Sequence, residues 1–104
     1  MKTQTIKTKN NEFKLTIHSL DRIKDHKELA NLDLEDALKK AKLIQHSNVK
    51  KFEYYAPGIS RVFFKKQTEE PYTIIYANTY YDVQFRVDSR TKTIMTICPL
   101  STQF

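Results

Sequence analysis

The chain has 104 residues, a length that suits one domain with one modest core. Hydrophobic residues make up 39% of it and aromatic residues 12%, which is enough apolar material to exclude a disordered chain. No apolar run approaches the roughly 20 residues that cross a bilayer, so we expect a soluble, cytoplasmic protein that does not contact a membrane.

The formal net charge is +6, from 18 Lys and Arg against 12 Asp and Glu. The excess is uneven, because residues 1–51 hold 12 basic and 7 acidic residues whereas residues 52–104 hold 6 and 5. A basic surface suits nucleic acid, an acidic protein surface or anionic lipid, although many such surfaces serve only solubility. We expect RNA as the partner.

The predicted elements begin with residues 1–11, which we expect to be flexible, and a short strand with alternating Phe13, Leu15 and Ile17. A first helix is predicted from Ser19, a residue suited to capping, and is expected to end near residues 29–31. A second helix is predicted from Asp33. Its apolar stripe is Leu34, Ala37, Leu38, Ala41 and Ile44.

After residue 48 the apolar pattern favours strands, which we predict at residues 49–56, 61–66, 72–77, 80–87 and 93–98. Pro57-Gly58 predicts a type II turn between the first two of these. The predicted fold class is α+β, with two N-terminal helices packed on one face of a four- to five-stranded antiparallel sheet. We expect a single domain over residues 1–104.

Several kinds of site are excluded by the sequence. The single Gly leaves no Gly-rich phosphate loop, and no pair of Cys or His residues has the spacing of a structural zinc site. The lone Cys98 is expected to be a buried, inert strand residue. We therefore predict no cofactor and no metal site.

The predicted first helix carries His18, Arg22 and His26, each four residues from the next. This spacing places the three side chains on one face of a helix, away from Leu20 and Ile23. Two imidazoles can act as general base and general acid, and a guanidinium can hold a phosphate. Such a face suits RNA cleavage by attack of the 2′-OH.

Further residues extend the likeness to known nucleases. The features that carry the resemblance are the helix with His18, Arg22 and His26, a second helix opening at residues 32–37, strands with Tyr54-Tyr55 and with Arg61 and Lys65-Lys66, and a final strand reading Ile94-Met95-Thr96. In these helices and strands the chain resembles small nucleases of the barnase/EndoU/colicin/RelE group. Phage-associated members and BrnT-type toxins are the most similar, and the likeness covers residues 17–100. The relatives often have a His directly after an Arg and before Pro or Gly, whereas His26 follows Asp25 and precedes Lys27.

The resemblance implies a metal-independent, toxin-like endoribonuclease with a neutralising antitoxin or immunity protein as a further partner. The candidate catalytic residues are His18, Arg22, His26, Arg61 and Thr96, and which His is base or acid stays open. The candidate nucleic-acid-binding residues are Lys24, Lys65, Lys66, Tyr54, Tyr55 and Arg86.

Each candidate also has an ordinary structural interpretation. His18 could cap a helix, His26 could be solvated, and strand tyrosines often form cross-strand pairs. The second hypothesis is therefore a non-catalytic phage or mobile-element inhibitor that binds nucleic acid or an acidic protein surface through its basic face. Basic strand residues facing His18 and His26 would favour the nuclease, and purely apolar ones would favour the binding protein.

Overall fold

Six strands form one mixed sheet, and four short helices are interspersed among them along the chain. The computed structural model describes residues 4–24, 26–29 and 31–101, without the side chains of Arg22 and Glu28. The elements are β1 (Gln4–Lys7), β2 (Glu12–Leu15), α1 (Ile17–Lys24), a 3₁₀ helix (Lys27–Leu29), α2 (Leu34–Lys39), β3 (Lys42–Leu43), α3 (Val49–Tyr55), α4 (Ile59–Glu69), β4 (Thr73–Asn78), β5 (Val83–Asp88) and β6 (Thr93–Pro99).

The strands lie in the order β1-β2-β6-β5-β4-β3. β2 and β6 are parallel, with Leu15 opposite Ile94, and the other neighbouring pairs are antiparallel. The helices connect β2 to β3 and β3 to β4, so each connection can cover one face of the sheet.

The predicted fold class was wrong. The sheet is mixed and six-stranded, and the helices are not confined to the N-terminal part of the chain. Residues 49–56 and 61–66, which we predicted as strands, lie in or beside helices α3 and α4. Their buried residues recur at helical spacing, Val49 with Phe52 and then Ile59 with Val62 and Phe63, and this period prevails over the strand preference of the tyrosines and phenylalanines.

The turn between these two segments was predicted correctly. Gly58 has φ 95° and ψ −6°, the conformation of the third residue of a type II turn, which glycine adopts without a Cβ clash. The backbone N–H of Ile59 donates to the carbonyl of Ala56 at 3.0 Å and closes the turn. It joins two helices instead of two strands.

The N-terminal half also differs in its boundaries. Within the segment expected to be flexible, residues 1–11, residues 4–7 form β1, and residues 1–3 lie outside the described part of the chain. The first helix ends at Lys24, and Ala30 of its expected end falls in a gap of the description. The second helix ends at Lys39, so Ile44 lies beyond it, past β3.

One face of the sheet packs against α1 and α2 and is called the first face. Its strand residues include Phe13, Leu15, Phe85 and Val87, all essentially inaccessible to solvent. A β-bulge at Met95 shifts the register of β6, so that Ile94 opposite Val87 and Ile97 opposite Phe85 both reach this core.

The opposite side, called the second face, packs against α3 and α4. β4 contributes Ile75 and Ala77 to this core, and α4 contributes Ile59, Val62 and Phe63. Further across the sheet the second face becomes polar, with Gln84 and Arg86 of β5 both buried. Cys98 is also buried there, opposite Gln84, as predicted.

Over the described ranges, no helix is both long enough and apolar enough to cross a membrane.

Candidate nucleic-acid interface

The predicted catalytic helix packs on the first face. His18 is exposed on α1, His26 is half-buried beyond its end, and the side chain of Arg22 lies outside the described part of the structure. Ile23 of α1 joins the apolar core of the first face, which includes Phe13, Leu15 and Ile94 of the strands. Among the described residues, the one buried basic side chain of the strands, Arg86, lies on the opposite face.

A hydroxyl holds α1 against the sheet. Ser19 is fully buried, and its Oγ donates to the backbone carbonyl of Ile94 at 2.5 Å. The pairing of β2 with β6 ends at Leu15 and Ile94. The Ser19 hydroxyl therefore gives a β6 carbonyl a donor at the point where the strand pairing stops. Ser19 is therefore better explained as an anchor of α1 than as a helix cap.

The predicted cations lie on different sides of the sheet. Arg61 and Lys65 are exposed on α4, which packs on the second face, and half-buried Lys66 is paired with Glu70, the residue that follows the helix. Lys24 is exposed on α1 and lies 3.8 Å from Asp21. The structure thus does not gather these residues with His18 into one cleft.

Two other candidates are brought together. Arg86 of β5 lies directly opposite Thr96 of β6 on the second face. Arg86 is 4% exposed, its Nε donates to Oε1 of Gln84 at 3.0 Å, and burial lowers the pKa of its guanidinium. The Gln84 amide in turn donates to the carbonyls of Pro99 and Leu100. Arg86 is therefore part of the interior, while Thr96 is partly exposed.

A cavity of about 520 Å³ opens beside β3, at the end of the second face. It is enclosed by the C-terminal end of α2, by β3, by one face of α3 and by the turn between β4 and β5. We call it the lysine–tyrosine cavity. It is lined by Lys40, Lys42, Asn48, Lys51, Phe52, Tyr55, Ala77, Asn78, Thr79 and Tyr80.

One wall of the cavity is a face of α3 with the residue that precedes it. Asn48, Lys51, Phe52 and Tyr55 recur at helical spacing, and Phe52 is buried in the core of the second face. This anchoring holds the neighbouring Lys51 and Tyr55 at the cavity. The Tyr55 ring is 59% exposed and lies 5.2 Å from the ring of Tyr54, edge to face.

The opposite wall is fixed by hydrogen bonds between α2 and the β4–β5 turn. The buried amide of Asn78 donates to the carbonyl of Ala37 at 3.0 Å. The Tyr81 hydroxyl donates to Oδ2 of Asp36 at 2.6 Å. This bond, with a second one from Lys40, lowers the pKa of Asp36. The bond to the carboxylate also raises the pKa of Tyr81 to about 12. Tyr80, 86% exposed, packs edge to face on Tyr81.

The lining of the lysine–tyrosine cavity is basic, and the described part of the chain contributes no Asp or Glu to it. Lys40 is paired with Asp36 at 3.1 Å. Lys42 and Lys51 have no carboxylate within 4.0 Å among the described residues. Two ammonium groups without a protein counterion create a positive potential at the cavity, which favours an anionic ligand.

A second cavity, of about 460 Å³, surrounds His46 at the other end of β3. It is lined by Leu43, Phe63 and Ile74 among others, and by no Lys, Arg, Asp or Glu. The His46 ring packs 5.3 Å from the ring of Phe63. Because it offers neither charge nor an exposed tyrosine, this cavity is a poorer candidate for an anion.

Sequence reasoning found only part of the lysine–tyrosine cavity. Tyr55 was a predicted binding residue, whereas Lys42, Lys51 and Tyr80 were not. The available signal was the four-residue spacing of Lys51 and Tyr55, which makes two side chains neighbours on a helix but separates them by about 13 Å along a strand. Because we predicted a strand here, we did not expect the side chains of Lys51 and Tyr55 to be neighbours.

Comparisons with protein-family models, curated proteins and solved structures found no match. The geometry of the described residues is therefore the basis for a functional proposal.

Proposed function

We propose that this protein binds nucleic acid, with RNA as the first ligand to test, through the lysine–tyrosine cavity. The observation that carries this proposal is the combination of Lys42 and Lys51, neither ion-paired among the described residues, with the exposed rings of Tyr55 and Tyr80. Lysines bind phosphate as point charges, and tyrosine rings provide surfaces on which bases stack.

The arrangement of α1 supports binding over catalysis. The core beneath α1 contains apolar strand side chains, which is the arrangement expected for the non-catalytic alternative. The lysine–tyrosine cavity, in contrast, has cations and aromatic rings but no His, Asp or Glu in its lining. It can hold an anion, but it lacks an ordinary general base or acid.

The proposal predicts that RNA affinity falls steeply with salt, because each lysine–phosphate contact releases counterions. Replacing Lys42 and Lys51 together with Gln should weaken binding and reduce the slope of log K against log salt by about 1.4, at ~0.7 per single-strand phosphate contact. Fluorescence anisotropy of a labelled RNA oligonucleotide, titrated with protein at several salt concentrations, measures both quantities.

A matched control removes the same charge elsewhere. Lys24 and Lys65 are exposed, belong to helices on opposite faces of the sheet and do not line the cavity. Their double replacement with Gln should leave the salt slope nearly unchanged. The cavity is rejected as the binding site if this control loses as much affinity as Lys42→Gln/Lys51→Gln.

The endoribonuclease remains a second candidate, and the observation that favours it is the pairing of Arg86 with the partly exposed Thr96. Incubation of the protein with RNA in EDTA, followed by sizing of the recovered RNA, tests this second candidate. RNA shortened to products with 2′,3′-cyclic phosphates, while DNA stays intact, would establish cleavage. Comparison of His18→Ala with His26→Ala would then show which imidazole is required. Intact RNA throughout would favour the binding protein.

A further inference from the structure

We infer that the lysine–tyrosine cavity accepts one unpaired nucleotide, so that the protein selects single strands over duplexes with little preference for base sequence. The inference rests on the proposed function and specifies its ligand. It is carried by the size of the cavity, by its two exposed rings and by the hydrogen bonds of its two asparagines.

The size of the cavity fits a single nucleotide. Its volume of about 520 Å³ lies within the roughly 300–1,000 Å³ typical of pockets that enclose a small organic ligand. A duplex is a cylinder whose bases are stacked on both faces, so only its phosphates could approach Lys42 and Lys51. An unpaired nucleotide can place its phosphate at these lysines and insert its base as well.

Two rings from different elements are available for stacking. Tyr55 belongs to α3 and Tyr80 to the β4–β5 turn, and both rings are mainly solvent-exposed. Each ring is supported by one edge-to-face neighbour, Tyr54 or Tyr81. Tyr81 is itself fixed by its hydrogen bond to Asp36, so Tyr80 is held at the cavity without being covered. An unpaired base can stack on such a ring, and a paired base cannot.

The asparagines of the cavity are already engaged by the backbone. Oδ1 of Asn48 accepts from the N–H of Gln45 at 2.7 Å, and its Nδ2 donates to the carbonyl of Leu43 at 2.9 Å. Oδ1 of Asn78 accepts from the N–H of Tyr81 at 3.1 Å, and its Nδ2 is bound to Ala37. Asparagine amides are well suited to read base edges. Because these bonds fix both amides and occupy one donor and the oxygen of each, neither amide can turn its donor and acceptor together toward a base edge. The cavity therefore recognises mainly charge and aromatic surface, which every nucleotide offers.

The experiment compares labelled single-stranded oligouridine and oligoadenine with the uridine–adenine duplex of the same length. The variants are Tyr80→Leu, Tyr55→Leu and, as a matched control, Phe64→Leu, which removes an exposed ring of α4 that neither lines the cavity nor contacts Tyr55 or Tyr80 through a ring pair. We expect single strands to bind at least about tenfold more tightly than the duplex. Either cavity substitution should weaken single-strand binding roughly 5-fold to 100-fold, which corresponds to the loss of one stacked base, and leave duplex binding unchanged. Because all three residues are exposed, the melting temperatures should stay close to that of the original protein, and Phe64→Leu should leave single-strand binding unchanged.

The outcomes separate this inference from the proposed function. Equal binding of duplex and single strand, with the lysine dependence intact, would overturn the inference and leave the proposed function in place. A difference of more than about tenfold between oligouridine and oligoadenine would overturn the sequence tolerance. No binding of any of these nucleic acids, or binding independent of Lys42 and Lys51, would overturn both.

Discussion

The two faces of the sheet differ in how they treat polar side chains. On the first face, Phe85 and Val87 in the middle of β5 pack in an apolar core, and the buried amide of Asn78 lies at the end of β4, where it donates to α2. On the second face, Gln84 and Arg86 of the same strand are also buried but rely on hydrogen bonds. The lysine–tyrosine cavity opens at the end of the second face, where Phe52 lines both the core and the cavity. One face therefore provides dense packing, and the other combines packing with polar residues and access to a ligand.

The largest expected effect tests this difference in packing. Phe85→Ala removes a fully buried ring and should lower the free energy of unfolding by about 3–5 kcal/mol. Phe52→Ala should cost less, because Phe52 already borders a cavity that water can enter. Denaturant titration of both variants measures the difference. Equal losses would mean that the two faces are packed equally well.

An intermediate effect is expected from the polar part of the second face. Gln84→Leu removes the donor to the Pro99 and Leu100 carbonyls and the acceptor for Arg86, and should cost about 1–3 kcal/mol. The double variant Gln84→Leu/Arg86→Met should cost less than the sum of its single substitutions, since both partners of one hydrogen bond are then apolar. Strictly additive losses would indicate that the two residues are independent.

The smallest effect concerns the pH dependence of stability, through a carboxylate of α3 that binds the backbone at the start of α4. The Glu53 carboxylate accepts from the backbone N–H groups of Gly58 at 2.5 Å and Ser60 at 2.9 Å, and these bonds lower its pKa below the ordinary value of 4.5. A lowered pKa adds stability above pH 4.5 that is lost as the pH falls through the lowered value. The stability difference between the original protein and Glu53→Gln should therefore be largest near neutral pH and shrink in acid. Denaturation midpoints of both proteins, measured from neutral to acid pH, test this expectation. A stability difference that stays constant with pH would refute the role of Glu53.

The sequence predicted the elements whose periodicity is unambiguous. The strands near residues 72–77, 80–87 and 93–98 correspond to β4, β5 and β6, and the turn at Gly58 has the expected conformation. α3 and α4 were missed because Tyr54, Tyr55 and Phe64 favour strands, although these rings are largely exposed and do not form the core. The parallel pairing of β2 with β6 is a long-range contact that local patterns do not specify.

The candidate site was predictable only in its chemistry. Basic residues and tyrosines were expected to bind RNA, but the cavity collects Lys42, Lys51, Tyr55 and Tyr80 from three separate parts of the chain. Which of many exposed lysines share a cavity depends on the packing of α3 and on the tether between Asp36 and Tyr81. These contacts depend on tertiary structure, so residue spacing along the chain did not reveal them.

The pairing of β2 with β6 also constrains how the molecule folds. Leu15 has to find Ile94, 79 positions further along the chain, beyond all the described helices and the three intervening strands β3, β4 and β5. During synthesis, the β1–β2 hairpin therefore waits with Phe13 and Leu15 unburied until the last strand is available. Contacts of such long sequence separation slow folding, because the chain loses entropy before the contact forms. The closing of this parallel pair is the step at which a nascent chain is most exposed to aggregation.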